Sequence, residues 1–97
     1  MSFADHLNAD RRLVILRLLS EQTGYKANSS VLAMRMNDLG HVMSRDQVKT
    51  ILGWLKEQGL IGVDEPVPGL LVATLCERGL EVAKGQAIVP GVARPGA

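Results

Sequence analysis

Cysteine is almost absent. Cys76 stands alone, so an internal disulfide is impossible and a reducing compartment is the natural setting. Aromatic side chains are equally scarce: Phe3, Tyr25 and Trp54 are the full set, which leaves the core to Leu, Val, Ile and Met. Long apolar runs are missing. The longest, such as Leu13–Leu16 and Leu70–Ala73, fall far short of the ~20 residues a membrane helix requires. Met1 to Ala9 shows no basic stretch followed by an apolar run, and so no secretory signal. A soluble, cytoplasmic chain with no membrane partner is expected. Neither sign of charge dominates either, since 11 Lys+Arg against 10 Asp+Glu give a formal net charge of +1. Any footprint on a nucleic acid must therefore be local.

Catalytic and metal-binding patterns are also lacking. The chain has one cysteine and two histidines, His6 and His41, far apart in sequence, and nothing resembles a nucleophile with a nearby base. Gly59, Gly62 and Gly69 follow a helix and surround a turn, where glycine serves backbone geometry rather than a phosphate loop. The chain is expected not to be an enzyme, with no metal and no cofactor.

What is present is one domain's worth of sequence, 97 residues with 46% apolar. A chain of this size buries only roughly 60–65% of its unfolded surface and gains from a partner. A first helix is expected from Phe3 or Ala9 to Gln22, with Ser2 or Asn8 as its N-cap. Within it, LVILRLL from Leu13 to Leu19 is interrupted only by Arg17. At about 100° per residue, Ile15, Leu16 and Leu19 share a face while Leu13, Val14 and Leu18 lie outside it. A helix apolar nearly all round is covered on more than one side. Either its own domain wraps it or Leu13, Val14 and Leu18 form a homodimer seam; the small size favours the seam.

After Gly24, residues 25–28 suit a short edge strand. A second helix is expected over Ser30–Leu39, capped by Ser29, with Leu32, Met36 and Leu39 on one face. Gly40 closes it. The third helix has the clearest start: Ser44 with Gln47 three residues on is a capping-box spacing. Val48, Ile51, Leu52 and Leu55 form its apolar stripe, and Gly59 is the expected left-handed stop near Gln58. The period then becomes extended. Leu60–Val63 and Leu70–Ala73 read as a hairpin across the turn 64–69, where two prolines and a glycine interrupt any ladder. A last helix follows from Cys76 to Lys84, with Gly79 costing ~1 kcal/mol relative to Ala. Residues 86–97, rich in Pro and Gly, read as a flexible tail behind a domain of residues 1–85.

The order α-(short β)-α-α-β-β-α is mainly α with a small β-hairpin, an α+β fold. The short connection between the second and third helices has helix-turn-helix spacing, and a hairpin directly afterwards suits a wing. The stretch MNDLGHVMSRDQVKTILGWLKEQGLI resembles the helix-turn-helix of bacterial winged-helix regulators of the MarR and ArsR kind. Their exit into the wing is matched by Leu55-Lys56-Glu57-Gln58-Gly59-Leu60-Ile61. ATLCERGLEVAKG is similar to the segment leading into the helix after the wing, with Cys76 where threonine is usual. The resemblance covers about Asn8 to Gly85 and implies a winged helix-turn-helix, with a small phage-encoded or bacterial regulator fitting the size. The paired cysteines and Asp/His clusters of the ArsR metal sites are not here.

In such motifs the second helix enters the major groove with its N-terminal residues at base edges. The DNA-contacting set expected on that basis is Ser44, Arg45, Asp46, Lys49, Thr50 and Lys56, with Arg45, Lys49 and Lys56 on one flank able to meet phosphate or guanine. Asp46 and Glu57 oppose phosphate. So does the hairpin tip, Asp64-Glu65 beside two prolines with no basic residue between Gly59 and Cys76. Two functions follow. The first is a homodimeric transcriptional regulator bound to double-stranded DNA. The second is a protein-interaction or structural module of the same shape. Trp54, beside the apolar stripe, either packs against the first helix or hairpin or serves as a partner hot spot. Met34, Met36 and Met43 are expected to fill gaps in the core.

Overall fold

The computed structural model describes residues 2–96. These form four α-helices, a 3-10 turn and a three-stranded antiparallel sheet. In chain order they are α1 (Phe3–Glu21), the 3-10 turn Thr23–Tyr25, β1 (Lys26–Asn28), α2 (Ser29–Asp38), α3 (Arg45–Glu57), β2 (Ile61–Val67), β3 (Leu70–Leu75) and α4 (Glu77–Ala83). The 3-10 turn is an addition to the expected order. Among the described residues no helix is long and apolar enough to cross a membrane.

Local chemistry sets most boundaries. Ser2, not Asn8, caps α1, in a capping box with Asp5; each side chain satisfies an amide that the first turn leaves free. Asn28 takes the place expected of Ser29 at α2, accepting from the Val31 amide at 2.8 Å. Ser29 is instead fully buried and its hydroxyl accepts from the Leu71 amide at 3.4 Å, tying α2 to β3. Ser44 and Gln47 form the capping box of α3, and Gly59 follows with φ +74°. Cys76 is the half-buried N-cap of α4.

The hairpin is tighter than expected. β2 continues through Asp64, Glu65 and Pro66 to pair Val67 with Leu70, with an irregularity between Asp64 and Val67. The loop shrinks to Pro68-Gly69. Proline at the first central position and glycine with φ +85° at the second suit a type II turn. Pro66 is tolerated because the sheet order is β1-β3-β2. β2 is therefore an edge strand, where a missing amide and a bulge cost little.

The core lies between the helices and the inner face of the sheet. Val48, Leu52 and Leu55 of α3 meet Ile15, Leu16 and Leu19 of α1, Leu32 and Met36 of α2, and Leu60, all at 1% exposure or less. Met43 is half-buried against the core, but Met34 is 57% exposed, contrary to its expected core role.

Two expectations about α1 and the C-terminus are overturned together. Leu13 and Leu18 are each only 3% exposed and Val14 is half-buried, so Leu13 and Leu18 are not free to form a seam. The helix lies against α2, α4 and β3, and residues 86–96 return along it. Val89 and Val92 are buried in the core, and the Ala93 amide donates to the Ala9 carbonyl at 3.1 Å. The supposed flexible tail is thus a strap belonging to the same folded unit. Its Pro and Gly content stops helix and strand formation, but two valines flanking a turn, with the Val92 amide donating to the Val89 carbonyl at 3.1 Å, still bury apolar surface when a helix face is uncovered.

Candidate nucleic-acid interface

The third helix presents three faces. Its apolar stripe is buried, with Val48, Leu52 and Leu55 at 0% and Ile51 at 7% exposure. At about 100° per residue, Arg45, Lys49 and Lys56 fall within a narrow strip along one flank, and Gln47 and Trp54 on the other. The basic flank faces the hairpin. Arg45, Asp46 and Lys49 line a groove whose other wall is Pro68, Gly69 and Leu70 at the tip.

The groove's geometry is held by specific contacts. Arg45 is exposed, and its Nη1 donates to Ser30 Oγ at 3.4 Å, joining the start of α3 to the start of α2. Lys49 is half-buried; its Nζ lies 4.0 Å from where a Cβ on Gly69 would stand. The ammonium therefore sits at the hairpin turn. Glu65 folds over the tip, its carboxylate accepting from the Gly69 amide at 2.7 Å. An acid expected to repel a polyanion thus has one oxygen engaged in closing the turn. Asp46 remains exposed at the groove.

The six expected contact residues separate. Arg45, Asp46 and Lys49 come together. Ser44 is exposed, but its hydroxyl accepts from the Gln47 amide at 3.1 Å. Thr50 Oγ1 donates to the Asp46 carbonyl at 3.1 Å, and the residue lines a different groove with Gln47, Trp54 and Arg12, between α3 and α1. Lys56 is exposed in the last turn, three turns beyond Arg45 and about 16 Å along the helix at 1.5 Å per residue. Ser30 and the Pro68-Gly69 tip were not legible as part of the site, because nothing local in the sequence signals which loop a helix flank will face.

Trp54 packs against the first helix. The Arg12 guanidinium carbon lies 3.9 Å from its ring centroid, and the strap's Gly91 lies against the ring edge. His41 Nε2 is 3.9 Å from Asp10, and His41 Nδ1 accepts from Arg11 Nε at 3.4 Å. Among the described residues no three His, Cys, Asp or Glu side chains converge as a metal site would require.

No family model matches the chain, and no solved structure matches it. Two proteins do. It is 47% identical over 91 residues to gp26 of Escherichia phage Mu, covering 94% of this chain and 93% of that protein. The chain belongs to the family of phage Mu gp26. A protein of Haemophilus influenzae is 45% identical over 80 residues, 82% of this chain and 78% of that protein. One relative is thus phage-encoded and the other bacterial, and neither name states an activity.

Proposed function

We propose that this chain is a winged helix-turn-helix protein that binds double-stranded DNA as a transcriptional regulator, with α3 as the recognition helix and the β2–β3 hairpin as the wing. One observation carries the reading: Arg45 and Lys49 share a groove between the start of α3 and the hairpin tip. Two cations one helical turn apart beside a protruding turn suit a phosphate run at a groove edge, where charge supplies most of the affinity. The Glu65 contact with Gly69 lessens the objection raised by the acidic tip. Arg45 and Lys49 are the principal contacts, Asp46 tempers affinity, and Lys56 reaches a separate phosphate if the duplex runs along α3.

A homodimer remains part of the proposal only through surface other than Leu13 and Leu18. Phe3 and Val42, 80% and 77% exposed, are the most exposed of the large apolar side chains that could serve it.

Fluorescence anisotropy with a labelled mixed-sequence duplex tests the proposal. Binding at low salt should weaken steeply as salt rises, and Arg45→Ala and Lys49→Ala should each reduce the slope of log K against log salt by about 0.9 without altering the circular dichroism spectrum. No binding to any duplex at low salt refutes it.

The protein-interaction alternative is favoured by one specific feature. Met34 and Leu39 are each 57% exposed and Val42 is 77% exposed, on α2 and the turn after it. If that surface is the functional one, Leu39→Ser abolishes partner capture and leaves duplex binding unchanged.

A further inference from the structure

Outside the α3–hairpin groove, the strongest unexplained feature is Arg12. It projects from the middle of α1 into a cavity of about 460 Å³ between that helix and the strap. Its Nη1 donates to the Gly91 carbonyl at 3.0 Å, and its guanidinium stacks on Trp54 at 3.9 Å. Its Nε is buried with no acceptor. Among the described residues no carboxylate lies within 4.0 Å of it. A guanidinium carries five N–H donors, and a partly desolvated cation ordinarily secures a counterion. Burial pushes Arg12 below its ordinary value, and the nearby Asp5 works in the opposite direction.

The rest of the cavity indicates what is missing. Ala9, Val92 and Ala93 give it apolar walls, and Arg94 and Asp5 lie on the same lining. Among the described residues of the lining, two arginines stand against one aspartate. Asp5 is partly engaged, accepting from the Ser2 amide at 3.2 Å, yet its charge still disfavours a multiply charged anion. The size falls within the roughly 300–1,000 Å³ typical of small-molecule sites, which combine apolar walls with a few fixed polar groups. The arrangement is also braced. A Cβ on Gly91 would stand 2.7 Å from Trp54 Cζ2 and 3.3 Å from Arg12 Nη1, so only glycine lets the strap pass this close and present its carbonyl to Arg12.

We propose that the groove between α1 and the C-terminal strap binds a small organic monoanion, a carboxylate on a compact apolar body, with Arg12 as the recognising charge and Arg94 as a second, exposed one. The site stands on its own geometry and does not depend on DNA binding. Trp54 is the sole tryptophan and touches Arg12, so it reports on occupancy.

The test is a titration of the full chain with benzoate, followed by Trp54 emission and by the amide shifts of residues 91–94, at constant ionic strength. Benzyl alcohol provides the same body without charge, and inorganic phosphate provides charge without the body. Saturable changes with benzoate, at least about tenfold weaker with benzyl alcohol or in Arg12→Gln, support the site. Arg94→Gln, on the exposed rim, should weaken benzoate about threefold with the fold intact. It and the benzyl alcohol comparison decide the matter if Arg12→Gln fails to fold. Equal responses to benzoate and benzyl alcohol, phosphate reproducing the benzoate shifts, shifts scattered away from the strap, or no saturation would each overturn the proposal.

Discussion

Replacing Gly79 with alanine opposes two physical effects of known size. On helix propensity alone the change should stabilise α4 by about 1 kcal/mol. Tertiary packing says the opposite. A Cβ at this position would run into the Leu60 carbonyl oxygen and stand 2.7 Å from Leu75 Cδ1, where carbon atoms normally rest at about 3.5–4.0 Å. The carbonyl cannot swing aside, because it accepts from the Cys76 amide at 3.0 Å. Relief requires α4 to lift away from the sheet, loosening Val82 and Ala83, which are 2% and 7% exposed. Overpacking of this kind costs about 1–3 kcal/mol, and weakening the Leu60–Cys76 hydrogen bond about 1 kcal/mol more. After subtracting the propensity gain, Gly79→Ala should destabilise the protein by about 1–3 kcal/mol, which lowers Tm by roughly 5–20 °C for a domain of this size.

Gly53 is the internal control. It lies inside α3, exposed, with nothing within 4 Å of where a Cβ would stand, so Gly53→Ala should stabilise by about 0.5–1 kcal/mol. Urea unfolding followed by circular dichroism compares both variants with the parent, provided m is unchanged. A Gly79→Ala protein as stable as the parent, or more so, would refute the close approach of α4 to Leu60.

Two further outcomes probe the parts of the fold that the sequence leaves open. Ending the chain after Gly85 removes the buried Val89 and Val92; at about 1.5–3 kcal/mol per buried side chain, thermal melting should show a loss of roughly 3–6 kcal/mol with a red shift of Trp54 emission. An unchanged Tm would mean that the strap contributes nothing. Leu18→Ala should cost about 2–5 kcal/mol as a core truncation, independent of protein concentration. Melting curves in which that loss varied with concentration would return Leu18 to a subunit seam.

The legible parts of this protein are those decided within a few residues. The start of α3 follows from Ser44 and Gln47 because capping is an i to i+3 hydrogen-bond problem, and its stop follows from the left-handed backbone Gly59 allows. The basic flank of Arg45, Lys49 and Lys56 follows from helical periodicity alone. Pro66 misled in one respect: its missing amide argues against a ladder, but only in a strand with neighbours on both sides, and edge position is a property of the sheet. The split of the expected site has the same origin, since Arg45 and Lys49 become a groove only when a two-residue loop brings Gly69 alongside them.

By itself, the sequence determined the order of the helices and strands, the cap of α3, the amphipathic stripes and the sign of charge along α3. These depend on backbone hydrogen bonding and side-chain spacing over one or two turns. Tertiary structure alone decided what covers α1, because both of its unexpected partners come from the far end of the chain. Arg12 reaches the carbonyl of Gly91 across 79 residues, and no local pattern encodes a contact whose formation depends on the rest of the core being assembled first.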